Sequence, residues 1–305
     1  MAMSSAIDGF RLAYDRYETT ASPGRPAVVL LHGWPGDRRD YEGVVARLSG
    51  QFDVVVPDLR GFGDSDKHRR DPVQFYGRDG QARSVAALAE ELGISQLLVA
   101  GYDVGSRVAQ HLARCRPDLV RAVVVTPPAP GVGPRIVEPK PLEEFWYQWF
   151  HQLDLAEELI DGDAKAARIY VRHFWSRWSG PGFYLDPSRL DHLASTYGRP
   201  GAFTASVAWY RAGGGSVISA LTEAVPPAAE RSTVPTTFLW PQHDPLFPMA
   251  WADRLDEFFT DVSVEPVNDA GHFVPVEMPD IFARAIRRAA DGISELFPLG
   301  VSQRG

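Results

Sequence analysis

Short apolar runs that stop at glycine- or proline-bearing turns, with helix-length text between them, constrain this chain more than any other feature. Ala27–Leu31 is such a run and ends at His32-Gly33-Trp34-Pro35-Gly36. Phe52–Val56 closes at Pro57-Asp58, Gln96–Ala100 runs into Gly101, and Ala122–Val125 meets Thr126-Pro127-Pro128. Between these runs Val44, Val45 and Leu48, then Val85, Leu88 and Leu92, then Val108 and Leu112 recur at helical spacing. Gly93 and Pro117 stand where helices would stop. Strands separated by helix-length segments predict an α/β chain with a mostly parallel sheet covered on both faces.

The alternation breaks at Thr126-Pro127-Pro128-Ala129-Pro130 and does not return until Thr236–Trp240. The text between is aromatic-rich and helical, with proline clusters at both ends. It predicts an inserted helical cap over residues 128–228, on a core made of residues 1–127 and 229–305. A chain of 305 residues is long enough for both. After the cap the sheet should resume with Thr236–Trp240, a helix near Trp251–Phe259, a strand Val262–Pro266 and a last helix from Pro279; the tail Val301–Gly305 reads as disordered.

Composition removes several classes of function. The net charge is −8 and no basic stripe is visible, so nucleic acid is not an expected partner. Cys115 is the one cysteine, which rules out an internal disulfide, and no Cys/His cluster has metal-ligand spacing. Met1–Tyr14 lacks the apolar core of a signal peptide, and no apolar run approaches a membrane span. A cytoplasmic protein without metal or other cofactor fits these features, and a homodimer is compatible with them.

Gly101-Tyr102-Asp103-Val104-Gly105 lies between a predicted strand and a predicted helix, the context of a nucleophile elbow. Such a turn is sharp, demands very small flanking residues, and lifts one side chain to a helix N-terminus, which favours an anion. Here that side chain is a carboxylate, suited to displacement at a saturated carbon with formation of an alkyl ester. Asp269-Ala270-Gly271-His272-Phe273 supplies a loop histidine between the last strand and the last helix. His272 is the expected general base, neutral at working pH, drawing a proton from the water that cleaves the ester. Asp244, after the strand ending at Trp240, is its expected orienter, with Asp269 and Glu277 as other carboxylates near it in sequence. The backbone amides of Trp34 and Val104 would form the oxyanion hole. His32 reads as a structural histidine beside the pocket, and Asp58–Ser65 as a structural turn.

The His32-Gly-Trp-Pro35 loop, the Asp103 elbow, the Trp146-Tyr147 and Phe150-His151-Gln-Leu-Asp154 stretch, Trp209-Tyr210-Arg-Ala212 and the Asp269-x-Gly-His-Phe273 loop together resemble the bacterial soluble epoxide hydrolases. The resemblance covers nearly the whole chain and implies an α/β-hydrolase fold with a cap. It also implies that two cap tyrosines, Tyr147 and Tyr210, hold the epoxide oxygen while Asp103 opens the ring. The expected substrate is a small, apolar or aromatic epoxide. The expected pocket is lined by His32, Trp34, Trp146, Trp149, Phe150 and Phe273. Haloacid and haloalkane dehalogenases share the elbow. Their usual arginine or tryptophan after the nucleophile is Val104 here, and the halide-binding histidine would fall at Gln148. Dehalogenation is therefore the alternative reading, and a non-catalytic ligand-binding homologue a more distant one.

Overall fold

The structure is a computed structural model that describes residues 1–19 and 25–296, so the expectation for the Val301–Gly305 tail falls outside the described residues. Its sheet has strands β1 (Ala2–Met3), β2 (Ala13–Tyr17), β3 (Ala27–Leu31), β4 (Val54–Pro57), β5 (Leu97–Gly101), β6 (Val120–Val125), β7 (Thr236–Pro241) and β8 (Val262–Val267). They lie in the order β1-β2-β4-β3-β5-β6-β7-β8; the β1–β2 and β2–β4 pairs are antiparallel and the other pairs parallel. The apolar runs explain this. Val28, Val29, Leu30 and Leu31 are all buried, as are Leu97 to Ala100. Each such side chain contributes about 1.5–3 kcal/mol on leaving water.

Sequence periodicity does not reveal β1 and β2. In β2 the outward positions are charged and held by ion pairs, Arg16 to Asp53 at 2.7 Å and Arg38 to Asp15 at 2.9 Å. A strand stabilised by charge pairing carries little apolar signal. The segment expected to be helical near Trp251–Phe259 is a 3₁₀ stretch, Met249–Glu257, interrupted by non-helical backbone at Arg254.

In the core the helices are α1 (Glu42–Leu48), α2 (Pro72–Phe75), α3 (Arg78–Glu91) and α4 (Val104–Cys115), and after the insertion α12 (Val274–Glu277) and α13 (Pro279–Leu296). Helices α3 and α4 pack together, and α1 packs on α13. Between β6 and β7 the described chain is helical without strands: α5 (Pro139–Glu144), α6 (Trp146–Phe150), α7 (Asp154–Ile160), α8 (Ala164–Trp178), α9 (Pro187–Tyr197), α10 (Ala202–Arg211) and α11 (Ser216–Thr222).

Register positions the site. Leu31 pairs with Gly101, and Gly101 with Val125, so β3, β5 and β6 end level at one edge of the sheet. The loops after β3 and β5 therefore meet there, under the helical insertion. The insertion is tied down by polar contacts to the core. Arg189 of α9 bridges Asp37 (2.7 Å) and Asp40 (2.5 Å), and His192 reaches Asp37 at 2.6 Å. Tyr197 donates its hydroxyl to the Gly36 carbonyl at 2.9 Å, and Trp175 its indole N–H to that of Pro35 at 3.0 Å.

Candidate active site

Asp103 stands at the C-terminal end of β5, immediately before α4, with φ +48° and ψ −118°. A non-glycine residue there costs on the order of 1–3 kcal/mol, so its surroundings must enforce it. The flanking glycines do so by close approach. A Cβ on Gly105 would lie 1.9 Å from the Leu31 carbonyl oxygen, and one on Gly101 2.6 Å from the Gly105 carbonyl carbon. The elbow therefore rests against β3. From that strand's loop the Trp34 amide donates to Asp103 Oδ1 at 2.8 Å. Val104 opens α4, and its amide is among the first-turn donors that helical geometry leaves without an intrahelical acceptor.

His272 is fully buried, with Nε2 3.4 Å from Asp103 Oδ2 and Nδ1 2.9 Å from Asp244 Oδ2. The other Asp244 oxygen accepts from the Leu246 amide at 2.8 Å, which fixes the carboxylate behind the ring. Glu277, one of the other carboxylates near His272, is engaged elsewhere: it accepts from the amides of Gly180, Gly271 and Phe273 at 2.7–2.9 Å and so braces the histidine loop. Asp269 takes left-handed backbone in that loop, with φ +62°. The His272 amide donates to the Trp178 carbonyl of α8 at 2.7 Å, joining this loop to the insertion.

Electrostatics correct one expectation. Burial disfavours the imidazolium, but the Asp244 and Asp103 carboxylates outweigh it and push the His272 pKa up to about 10. The resting ring is therefore charged at neutral pH, not neutral. Removing the Asp103 charge removes part of what holds the proton on the ring. NMR titration of His272 is expected to show its pKa fall in Asp103→Asn; an unchanged titration would contradict the coupling. Because the folded value lies above the roughly 6.5 of an unfolded histidine, the stabilisation it brings is complete below that pH. It fades as pH rises through about 10, which denaturation midpoints across this window should follow.

Tyr147 of α6 and Tyr210 of α10 are buried over Trp34. Tyr147 stacks parallel to the indole with centroids 5.6 Å apart; Tyr210 meets the indole edge-on at 6.0 Å and Tyr147 at 5.6 Å. Burial first, and the Asp103 charge among other causes, raise both phenol pKa values, so both hydroxyls keep their protons. The Tyr147 hydroxyl accepts from Gln148 Nε2 at 3.1 Å, and the Tyr210 hydroxyl is coupled to that of Tyr147 beside it.

The space above Asp103 is a tight cavity of about 10 Å³, lined among others by Val104, Arg107, Gln148, Trp209, Tyr210 and Gly215. Most of the pocket expected from sequence is not here. Trp146 and Trp149 are 41% and 46% exposed, because α6 turns them to the outside of the insertion. Trp146 packs on Phe174, and Trp149 lies at a separate shallow depression behind Gln148 and Tyr210. Phe150 packs on Tyr170 and His151. Phe273 is stacked on Trp175 at 3.7 Å. His32 has both nitrogens occupied by backbone, accepting from the Leu59 amide at 3.1 Å and donating to the Gly33 carbonyl at 2.9 Å. It is structural, as is the Asp58 turn, whose carboxylate takes the amides of Arg38 and Asp64. Trp34 is buried beneath the tyrosines. Gln148, Arg107 and Trp209 are the lining residues that sequence reasoning passed over as lining; Gln148 and Trp209 directly follow and precede the two tyrosines.

Residues 26–279 match the model of a family described as the alpha/beta hydrolase fold. The chain is 30% identical over 283 residues to the soluble epoxide hydrolase of Corynebacterium sp. strain C12, covering 90% of this chain and 91% of that protein. It is 29% identical to a fluoroacetate dehalogenase of Burkholderia sp., over 62% and 63% of the two chains. Among solved structures it is similar to the epoxide hydrolase CorEH without ligand, with TM-score 0.76, 27% identity and 97% and 99% of the two chains covered. This chain is thus a member of the α/β-hydrolase fold family, and it belongs there with the soluble epoxide hydrolases.

Proposed function

We propose that this hydrolase converts an epoxide to a vicinal diol through an ester on Asp103. The observation that carries the reading is the arrangement around that carboxylate: one oxygen held by the Trp34 amide at 2.8 Å, the other facing His272 at 3.4 Å, with Asp244 behind the imidazole. Asp103 Oδ2 attacks a ring carbon, the C–O bond breaks, and the pair moves onto oxygen. Tyr147 and Tyr210 hydrogen bond to that oxygen and deliver a proton, which the His272 imidazolium replaces. The ester has removed the Asp103 charge, so the imidazole is now free to act as base. It takes a proton from water as the water oxygen adds to Cγ. The amides of Trp34 and Val104 stabilise the oxyanion. Collapse breaks the bond between Cγ and the alkyl oxygen; that oxygen takes the proton back from His272 and leaves as the diol. The new Asp103 carboxyl proton returns to His272, which restores the resting ion pair.

The cavity is small against the roughly 300–1,000 Å³ of pockets for drug-sized ligands. With about 10 Å³ of free space above Asp103, room for roughly one water, even a compact epoxide requires the insertion to yield. Product analysis on a panel of epoxides and organic halides tests the function: diol formation supports it, and halide release without diol would replace it by dehalogenation. Tyr147→Phe and Tyr210→Phe are each expected to slow alkylation by about 10²-fold, at the lower end of general-acid contributions. Stopped-flow alkylation at the wild-type rate in both variants would remove the tyrosines from the scheme.

A further inference from the structure

Room for roughly one water above Asp103 means that a substrate reaches the carboxylate only where the wall opens. The walls differ in what fastens them. Along α8 and α9 the insertion is tied to the core by the Arg189 ion pairs and by the Tyr197 and Trp175 hydrogen bonds. Along α6 and α11 the wall is thin. The shallow depression on the outside of the insertion, where Trp149, Val217 and Ile218 lie, shares Gln148, Tyr210 and Gly215 with the Asp103 cavity. One layer of residues therefore divides the two spaces.

That layer is closed by a single movable side chain. Gly213-Gly214-Gly215, in the link from α10 to α11, brings backbone alone to it. A Cβ on Gly215 would stand 2.7 Å from Gln148 Oε1 and 3.1 Å from Tyr210 Cδ1, so the glutamine amide fills the place where a side chain would be. Gln148 is buried and held at both ends of that amide. Its Nε2 donates to the Tyr147 hydroxyl at 3.1 Å, and its Oε1 accepts from the Val217 amide at 3.0 Å. Val217 is in the first turn of α11, where an amide has no acceptor within the helix, so Gln148 docks the start of α11. Both bonds join neutral groups and are weaker than the buried ion pairs at Arg189. Rotation of the Gln148 side chain breaks both, releases the start of α11 and joins the outer depression to the cavity.

We propose that Gln148 is the gate of the Asp103 cavity and, with Gly215, sets the size of substrate admitted. The proposal rests on epoxide hydrolysis only for the identity of what passes.

Thiol labelling tests the gate without any epoxide. In the full chain carrying Cys115→Ser and Asp103→Cys, the introduced thiol is reached by N-ethylmaleimide only through the wall. Loss of both Gln148 bonds in Gln148→Ala is expected to speed labelling about tenfold, as two neutral hydrogen bonds imply. Ile218→Trp, which narrows the outer depression and leaves the lining of the Asp103 cavity untouched, is expected to slow it. A rate unmoved by either substitution would overturn the gate and place entry elsewhere, such as the cleft beyond Arg107. With Asp103 restored, the kcat/KM ratio of styrene oxide to propylene oxide should rise in Gln148→Ala and fall in Ile218→Trp. Loss of the Gln148 bond to Tyr147 falls on both epoxides and cancels in this ratio. A ratio unchanged in both variants would remove the gate as the selector of substrate size. Ile218→Trp keeps both tests decisive should Gln148→Ala not fold. Labelling that follows the gate without turnover of any epoxide leaves the gate standing and removes epoxide hydrolysis.

Discussion

His272→Gln is expected to accumulate the ester on Asp103, because the first half of the reaction uses the carboxylate and the second needs a base for water. Turnover should fall by roughly 10²–10⁴-fold, the range for loss of a general base. Mass spectrometry of the variant incubated with epoxide should show the peptide holding Asp103 heavier by the mass of the whole substrate. The asymmetry follows from the geometry. His272 Nε2 is 3.4 Å from Oδ2, an ion-pair distance too long for a good hydrogen bond, while Nδ1 is fixed to Asp244 at 2.9 Å. The ring is thus held from behind and presents its free nitrogen to the space where water would meet the ester. Asp103→Asn should show neither adduct nor turnover. A His272→Gln protein that turns over at the wild-type rate would end the scheme.

The second large effect is expected at the clasp between insertion and core. Arg189 is the cation between two buried carboxylates, Asp37 and Asp40, and Asp40 also accepts the Tyr102 hydroxyl at 2.5 Å. Tyr102 directly precedes Asp103. Burial works against the Asp37 charge, yet Arg189 and His192 outweigh it and hold that carboxyl well below its usual range. Burial and the neighbouring Asp37 charge push Asp40 the other way, with Arg189 offsetting part of the rise. Arg189→Met strands both carboxylates and should cost about 3–5 kcal/mol, the usual price of breaking a buried ion pair. Arg189→Lys should recover little of it, since an ammonium cannot bridge two carboxylates as a fork does. The contribution of Asp37 to the pH dependence has a definite sign. The stabilisation from Asp37 is present above the roughly 3.9 of an unfolded aspartate and is lost as pH falls toward its lower folded value. Wild-type protein should lose stability in acid over that range, and Arg189→Met should have less to lose. Equal urea midpoints for the two proteins would refute the clasp.

The parallel part of the sheet was legible because each strand from β3 to β7 contains an apolar run of three or more residues, as burial on both faces requires. The positions of Asp103, His272 and Asp244 were legible because each follows a strand of the sheet, a place that sequence patterning locates well. The strands β1 and β2 were not, since charge pairing and not apolar alternation holds β2. The cavity lining was also hidden. Trp146 and Trp149 look like pocket residues by type, but in the short helix α6 the two residues between them, Tyr147 and Gln148, take the inward direction, leaving both indoles partly exposed. Gln148, polar and unremarked as a lining residue, is buried instead and is held by the Val217 amide at 3.0 Å. Which face of a one-turn helix points inward depends on packing from α8 and α10, and that information is not local to the sequence. The charge state of His272 was equally out of reach, because it depends on two carboxylates brought from distant loops.

In the proposed reaction Asp103 carries the substrate as an ester and water attacks its carboxyl carbon, not the ring. A single turnover in ¹⁸O-water, with enzyme in excess over epoxide, tests it directly. The account predicts the label in the carboxylate of Asp103 and unlabelled oxygen in the first diol released. Label in that diol, with none in the Asp103 peptide, would contradict it.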